Sequence, residues 1–114
     1  MKLVFIDDER FPSHFTKFEK FNVYYEQWNI VRSYDEFINF VKSFGIPHFI
    51  SFDHDLGKNE KTGLDIAKWI IEVDLDKIYQ IPKDFSFTVH SQNPIGKKNI
   101  EHLLTQYLSF KGEK

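Results

Sequence analysis

Four aspartates are placed where they could bind a divalent metal ion. Asp7 and Asp8 follow the first predicted strand, and Asp53 and Asp55 follow the third. In a parallel sheet the carboxyl ends of the strands share one edge, so the four carboxylates are expected to crowd together there. Carboxylates in close contact raise one another's pKa unless a cation neutralises them. Oxygen ligands of this kind predict a site for Mg²⁺, Mn²⁺ or Ca²⁺.

Two histidines are expected at the same edge, because His54 lies between Asp53 and Asp55 and His90 follows the fourth predicted strand. An imidazole titrates near neutral pH, so both histidines are candidates for general acid or base catalysis. Imidazole nitrogens also leave room for Zn²⁺ or another transition metal. The alternative is a structural role, in which each ring is only a hydrogen-bonding partner of a carboxylate.

Three candidate phosphate ligands, Ser91, Asn93 and Lys97, surround the start of the last predicted helix. The free N–H groups and the dipole of a helix N-terminus favour a bound anion. Simpler interpretations also exist for these residues. Asn93 can cap the helix, and Lys97 can lie on a solvated surface.

Strands that alternate with helices are expected to position these side chains. The short apolar run at residues 3–6 predicts a first strand, and residues 28–32, 49–52 and 85–89 are predicted to form three more. The segment 11–27 carries aromatic residues at partly helical spacing and predicts an irregular first helix. The alternation predicts an α/β fold of three layers, with a parallel sheet between helices and right-handed crossovers. Since no linker or repeat interrupts residues 1–114, we expect a single domain.

The other helices have clear boundaries in the sequence. The second helix begins after Ser33, which can form a capping box with Glu36, and it ends at Gly45. Thr62 and Asn93 are predicted to cap the third and fourth helices.

The composition argues against several classes of protein. Acidic residues number 17 and basic residues 15, so the net charge of −2 gives no general electrostatic reason to bind nucleic acid or an anionic membrane. The chain has no cysteine, which excludes disulfides and thiolate metal sites. No apolar run approaches the roughly 18 residues of a membrane span, and the first run is too short for a signal peptide. A cytoplasmic protein, in a bacterium or a phage-infected host, is the expectation.

The strand ends resemble those of response-regulator receiver domains. Residues 4–9 are similar to the first strand and acidic pair of receivers, and residues 50–53 to the strand that ends in the phosphoryl-accepting aspartate. Ser91 lies where receivers place a serine or threonine. The longer strings at residues 52–57 and 89–96 are more specific. They resemble the cyclic-phosphate-processing receiver domains, a compact family of bacteria and phages, and the resemblance covers nearly the whole chain.

This resemblance implies a flavodoxin-like or receiver-like sheet of four strands in the order 2-1-3-4. It implies Mg²⁺ or Mn²⁺ bound by Asp7, Asp8 and Asp53 together with the backbone carbonyl of Asp55. It also implies metal-dependent processing of cyclic or terminal phosphates on a nucleotide or RNA end, with Asp53 as a candidate nucleophile. A usual receiver carries a lysine on a fifth strand, and no predicted strand here carries one, which argues against phosphotransfer signalling.

Two other functions remain open from the sequence. The first is a non-catalytic module that binds a metal, a phosphate compound or a protein partner, including a second copy of the chain or a host protein. The second is a true phosphoacceptor receiver, which acetyl phosphate would modify at Asp53. Tight binding without turnover would identify the module, and the addition of one phosphate would identify the phosphoacceptor.

Overall fold

The computed structural model describes residues 2–12 and 28–112, which contain a four-stranded parallel sheet and three helices. The strands are β1 (Leu3–Ile6), β2 (Trp28–Val31), β3 (Phe49–Phe52) and β4 (Ser86–Val89). The helices are α1 (Tyr34–Phe44), α2 (Gly63–Leu75) and α3 (Pro94–Gly112). The irregular helix predicted for residues 11–27 lies almost entirely outside the described residues.

The sheet has the order β2-β1-β3-β4, and every neighbouring pair of strands is parallel. This confirms the predicted order 2-1-3-4 and the receiver-like α/β fold. The last residues of the strands are level with one another, because Ile6 pairs with both Val31 and Phe52, and Phe52 pairs with Val89. The polar residues that follow β1, β3 and β4 therefore emerge at one edge of the sheet.

The predicted helix caps are present, with one difference. The Ser33 hydroxyl accepts a hydrogen bond from the Glu36 N–H at 3.1 Å, but the Glu36 carboxylate accepts from the N–H of Arg32, one residue before the cap. Thr62 forms a complete capping box with Asp65. Each cap satisfies N–H groups that a helix leaves without an internal partner, which fixes the residue at which the helix begins.

The main core lies on one face of the sheet. It joins alternate strand residues to all three described helices, and its largest fully buried members include Ile6, Phe37, Phe52, Ile70 and Ile100. The opposite face carries a smaller buried cluster of Leu3, Phe5 and Trp28. None of the described helices is long and apolar enough to cross a lipid bilayer.

Asp74 connects α2, α3 and the loop before β4. Its carboxylate accepts hydrogen bonds from the Ile81 N–H at 2.8 Å, the Tyr107 hydroxyl at 2.5 Å and the Lys111 ammonium at 3.0 Å. Burial raises the pKa of Asp74, but these hydrogen bonds outweigh burial and the pKa is lowered. Burial and the bond to Asp74 raise the pKa of Tyr107 to about 12. Asp74 is therefore ionised near neutral pH and can hold the three elements together.

We expect Tyr107→Phe to lower the free energy of unfolding by about 1 kcal/mol, because it removes one hydrogen bond from a partly buried carboxylate. Since the folded-state pKa of Asp74 is lowered, the stabilisation by this cluster should be present at neutral pH and decline as the pH falls below about 4. Urea denaturation of both proteins measures the difference. Tyr34→Phe is the matched control, because the Tyr34 ring contacts Lys61 and packs against the main core, and phenylalanine keeps both contacts. Equal losses in the two variants would contradict this role of Asp74.

Candidate active site

Asp7 is fully buried at the end of β1, and both of its carboxylate oxygens are hydrogen-bonded. Oδ1 accepts from the backbone N–H groups of Glu9 and Arg10, at 2.9 and 2.8 Å. Oδ2 accepts from Arg10 Nε at 2.9 Å and lies 3.0 Å from His90 Nε2. Burial raises the pKa of Asp7, but the hydrogen bonds from His90 and from the two N–H groups outweigh it, so the pKa lies well below its usual range. Asp7 is therefore a carboxylate that its surroundings hold in one orientation.

His90 follows β4 and is held on three sides. Its Nδ1 lies 2.7 Å from the Ser51 hydroxyl, and its Nε2 faces Asp7. Its ring stacks on Phe5 with 4.4 Å between ring centroids and 3° between planes. Because residues alternate between faces along a strand, Phe5 and Asp7 lie on the same side of the sheet as Ser51. The strand register thus brings the imidazole to the carboxylate.

Asp53 is buried at the end of β3, and its electrostatic setting differs from that of Asp7. Oδ1 accepts from the His54 N–H at 2.8 Å, and Oδ2 lies 3.5 Å from Arg10 Nη2. Burial and the negative charge of Asp7 raise the pKa of Asp53, and the nearby His90, His54 N–H and Arg10 offset only part of this. The two buried carboxylates therefore share one region that favours additional positive charge.

Arg10 is the cation nearest to both buried carboxylates among the described side chains. It contacts Asp7 and Asp53, and its side chain is 27% exposed. The loop that carries it is held by Arg32, whose guanidinium donates to the carbonyl oxygens of Asp7 and Arg10 at 2.9 and 2.7 Å. These hydrogen bonds fix the backbone of the loop, while the guanidinium of Arg10 stays partly accessible to solvent.

His54 and Asp55 form a second group beside the buried pair. His54 Nδ1 lies 3.0 Å from Asp55 Oδ1, and this bond lowers the pKa of Asp55. Asn93 donates to Asp55 Oδ2 at 3.2 Å and accepts from the Gly96 N–H at 3.0 Å, so it caps α3 as predicted. The His54 ring packs against Gly96, where a Cβ would overlap it. These contacts join the β3 loop to the first turn of α3.

The side chains at this edge open onto a cleft of about 680 Å³. It is lined by Asp7, Asp8, Glu9, Arg10, Asp53, Asp55, Gly57, Lys58, Ser91, Gln92 and Asn93. Five carboxylates thus face two cationic side chains. A phosphate would be repelled by such a lining unless a cation were also bound.

Most of the predicted site residues meet in this cleft. All four aspartates proposed as metal ligands line it, together with Ser91 and Asn93. His90 is buried behind the lining, and His54 lies beside it against Gly96. Lys97 is exposed on α3 and lies outside the lining. The catalytic, phosphate-binding and metal-binding roles of these residues remain predictions.

Three residues of the site carry no role predicted from the sequence: Arg10, Lys58 and Ser51. Arg10 follows the acidic residues after the first strand. A basic residue in that strand-end loop could have been predicted from the sequence to lie at the site. Lys58 lies in the polar loop after β3, where one lysine carries no distinguishing pattern. Ser51 is a polar residue inside an apolar strand, which is a signal for a buried hydrogen bond.

A buried set of three residues could hold a metal ion. One ligand atom each from Asp7, Asp53 and His90 lies within 4.8 Å of the others. Two carboxylates and one imidazole form a donor set that divalent cations accept. The donor chemistry therefore fits the metal that the sequence predicts, although the imidazole replaces an expected oxygen ligand.

Comparison with solved structures supports the fold. The N-terminal domain of a response regulator/sensory box/GGDEF 3-domain protein from Carboxydothermus hydrogenoformans superposes with a TM-score of 0.51 at 14% identity, covering 99% of this chain and 98% of that one. A fusion protein that contains the yeast Spc42 trimeric coiled coil gives a TM-score of 0.54 at 16% identity, covering 98% of this chain and 81% of the other. At these identities the likeness concerns the fold alone.

Comparison with protein families identifies the family of this chain. No curated protein matches the chain. The model of the cyclic-phosphate processing receiver domain matches residues 2–106. This match covers most of the sequence, including every residue that lines the cleft. The chain therefore belongs to the family of cyclic-phosphate processing receiver domains.

Proposed function

We propose that this protein is a metal-dependent phosphoesterase that acts on cyclic or terminal phosphates of nucleotides or RNA ends. The observation that supports this most is the buried pair Asp7 and Asp53 beside a cleft with five carboxylates and two cations in its lining. A fold has no structural need for two adjacent buried carboxylates, and perturbed acids of this kind cluster at functional sites. The family name supports the class of substrate.

Asp7 and Asp53 would hold Mg²⁺ or Mn²⁺, with Asp8 and Asp55 available from the cleft lining. A bound divalent cation would neutralise the phosphate charge and polarise a phosphoryl oxygen. The fixed orientation of Asp7 suits this role, because its hydrogen bonds prevent the carboxylate from turning away from a ligand.

The phosphate would lie toward the start of α3. The Ser91 hydroxyl accepts from the Asn93 N–H at 3.0 Å and still has its own proton to donate to a phosphate oxygen. The helix dipole favours an anion at this end of α3. Lys58 lines the same cleft and adds a positive charge from the opposite loop. Asn93 is engaged at both ends of its amide, so we assign it to holding the loop in place.

Hydrolysis of a cyclic phosphate requires a base for the attacking water and an acid for the leaving ribose oxygen. The water oxygen bonds to phosphorus, the bond from phosphorus to one ribose oxygen breaks, and that oxygen takes up a proton. His54 is the better candidate for moving the proton, because its side chain is 16% exposed whereas that of His90 is fully buried. The hydrogen bond to Asp55 would orient the His54 ring.

We expect the purified protein to convert a 2′,3′-cyclic nucleotide into a phosphomonoester when Mn²⁺ or Mg²⁺ is present. Phosphorus NMR measures the conversion directly, since the cyclic and open esters have separate signals. EDTA and the Asp53→Asn substitution should each abolish it. His102→Gln is the control, because His102 is exposed on α3 away from the cleft. A folded protein that binds the metal and converts no cyclic nucleotide would overturn the enzymatic proposal.

The second candidate is a module that binds a metal and a phosphate compound without turnover. The burial of His90 supports it, because both ring nitrogens of this histidine lie within hydrogen-bonding distance of protein atoms. A site whose two histidines both lie outside the cleft lining suits binding as well as catalysis. Calorimetry with a cyclic nucleotide and Mn²⁺ would show saturable binding without product in that case.

A further inference from the structure

We infer that His90 is a direct ligand of the metal and that the site therefore prefers Mn²⁺, Co²⁺ and Zn²⁺ to Mg²⁺. The inference rests on the proposed metal site but not on turnover. A site with an imidazole ligand differs from a site made only of oxygen ligands, which would suit Mg²⁺. The orientation of one buried imidazole and the contacts of its two nitrogens support the inference.

The Nε2 atom of His90 points at the buried carboxylates. It lies 3.0 Å from Asp7 Oδ2, and ligand atoms of His90, Asp7 and Asp53 lie within 4.8 Å of one another. Ligands at about 2.1 Å from a common metal, roughly at right angles, are about 3 Å apart. The spacing between Nε2 and Oδ2, which is that of a hydrogen bond in the metal-free protein, therefore also matches two ligands of one ion.

The other side of the imidazole is arranged as in metal-binding histidines. In the metal-free protein Nε2 donates its hydrogen to Asp7, so a bound metal would take the place of that proton, which would leave to solvent. Nδ1 lies 2.7 Å from the Ser51 hydroxyl, which can accept an Nδ1 proton in the metal-bound state. A metal-binding histidine usually donates its second ring N–H to an oxygen, which leaves the lone pair of the first nitrogen facing the metal. The Phe5 ring, 4.4 Å away and nearly parallel, prevents rotation out of this orientation. Ser51 is thus a positioning residue for the ligand.

Binding of this ion would require Arg10 to move away from the two carboxylates. Its guanidinium contacts Asp7 Oδ2 and Asp53 Oδ2, at 2.9 and 3.5 Å, and so balances their charge in this structure. With 27% of its side chain exposed, it can turn into the cleft when a metal binds. There it would remain available to a phosphate oxygen, because arginine forms two hydrogen bonds with such groups.

An imidazole ligand changes which metal is selected. Mg²⁺ favours oxygen ligands and keeps much of its water, so a buried nitrogen contributes little to its binding. Affinity for nitrogen-containing sites rises along the series from Mn²⁺ to Co²⁺ and is also high for Zn²⁺. Of the two metals that the family resemblance implies, Mg²⁺ and Mn²⁺, this ligand set therefore favours Mn²⁺.

Titration with Co²⁺ and with Mg²⁺ in separate calorimetry experiments tests the inference, and the visible spectrum of bound Co²⁺ reports its ligands. We expect the wild-type protein to bind Co²⁺ at least about 10-fold more tightly than Mg²⁺. His90→Gln should weaken Co²⁺ binding by about 100-fold and change the spectrum, while Mg²⁺ binding stays within a few-fold. Ser51→Ala should weaken Co²⁺ binding by about 10-fold, as loss of an outer hydrogen-bonding partner does.

His102→Gln is again the control, since it removes an exposed histidine that could bind metal nonspecifically. Equal affinities of the wild-type protein for Co²⁺ and Mg²⁺, or an unchanged Co²⁺ spectrum in a folded His90→Gln variant, would overturn the inference. The metal titrations contain no phosphate substrate, so their outcome does not depend on turnover. A protein that shows this selectivity but hydrolyses no cyclic nucleotide would refute only the enzymatic proposal. A protein that binds neither Co²⁺ nor Mg²⁺ would refute both the inference about His90 and the enzymatic proposal.

Discussion

Replacing Gly63 with alanine is expected to lower the free energy of unfolding by about 3 kcal/mol, at the upper end of the range for overpacked positions. Gly63 is the first residue of α2, and its N–H donates to the carbonyl oxygen of His54 at 2.8 Å. A Cβ at this position would overlap the carbonyl oxygen of Asp53. Because the obstacle is backbone rather than a flexible side chain, the helix or the β3 loop has to move.

Chemical denaturation monitored by tryptophan fluorescence measures this loss. Gly112→Ala is the matched control, because Gly112 is also helical and a Cβ there meets nothing within 4 Å. Alanine at Gly112 should leave stability unchanged or raise it slightly, since glycine is the poorer helix former. If Gly63→Ala is as stable as the control, the close approach of α2 to the β3 loop is wrong.

The same substitution should weaken metal binding. The atoms that the new methyl group displaces belong to Asp53 and to His54, whose N–H bonds the Asp53 carboxylate. A loop shifted outward would separate Asp53 from Asp7, and a metal site loses affinity when one ligand moves. Stability and metal affinity are therefore expected to fall together in Gly63→Ala and to stay unchanged in Gly112→Ala.

The backbone features of the site were predictable from the sequence for a simple reason. β1 is a short apolar run and β3 is largely apolar, and an aspartate follows each of them directly, so Asp7 and Asp53 mark the two strand ends. Parallel pairing then places those ends along one edge without further information. The helix caps were predictable for an equally local reason, because Thr62 and Asn93 accept hydrogen bonds from helix N–H groups only a few residues away.

The side-chain contacts of the site were not predictable in the same way. The bond between Ser51 and His90 joins residues 39 positions apart, and no local pattern specifies it. The same is true of the stacking of His90 on Phe5, which depends on the strand order and on the face each residue occupies. Arg10 was visible next to the acidic pair, but its bridge to Asp53 exists only once β1 and β3 are adjacent.

These contacts explain how the protein tolerates two buried carboxylates. Asp7 is stabilised as an anion by four donors, whereas Asp53 has one backbone N–H and a longer contact to Arg10. The raised pKa of Asp53 means that folding disfavours its ionised form. The contribution of Asp53 to stability is then highest below the usual aspartate pKa and is lost as the pH rises through the folded-state pKa of Asp53. At neutral pH the Asp53 carboxylate is expected to destabilise the metal-free protein.

Asp53→Asn should therefore raise the stability of the metal-free protein at pH 7 by about 1 kcal/mol, within the usual range for a stabilising substitution. The same variant should lose the stabilisation by metal. A ligand at 100 times its dissociation constant stabilises the folded protein by about 2.7 kcal/mol, so wild type should gain this much with Mn²⁺ and the variant almost nothing.

Thermal and urea denaturation with Mn²⁺ or with EDTA distinguish the two effects. Asp84→Asn is the control, because Asp84 is exposed and pairs only loosely with His48 at 3.8 Å. It should alter neither the metal-free stability nor the response to Mn²⁺. An Asp53→Asn variant that is less stable than wild type in EDTA would mean that Arg10 compensates the buried charge fully. A variant that Mn²⁺ still stabilises would place the metal away from Asp53, since an amide oxygen cannot supply the charge that a divalent ion requires here.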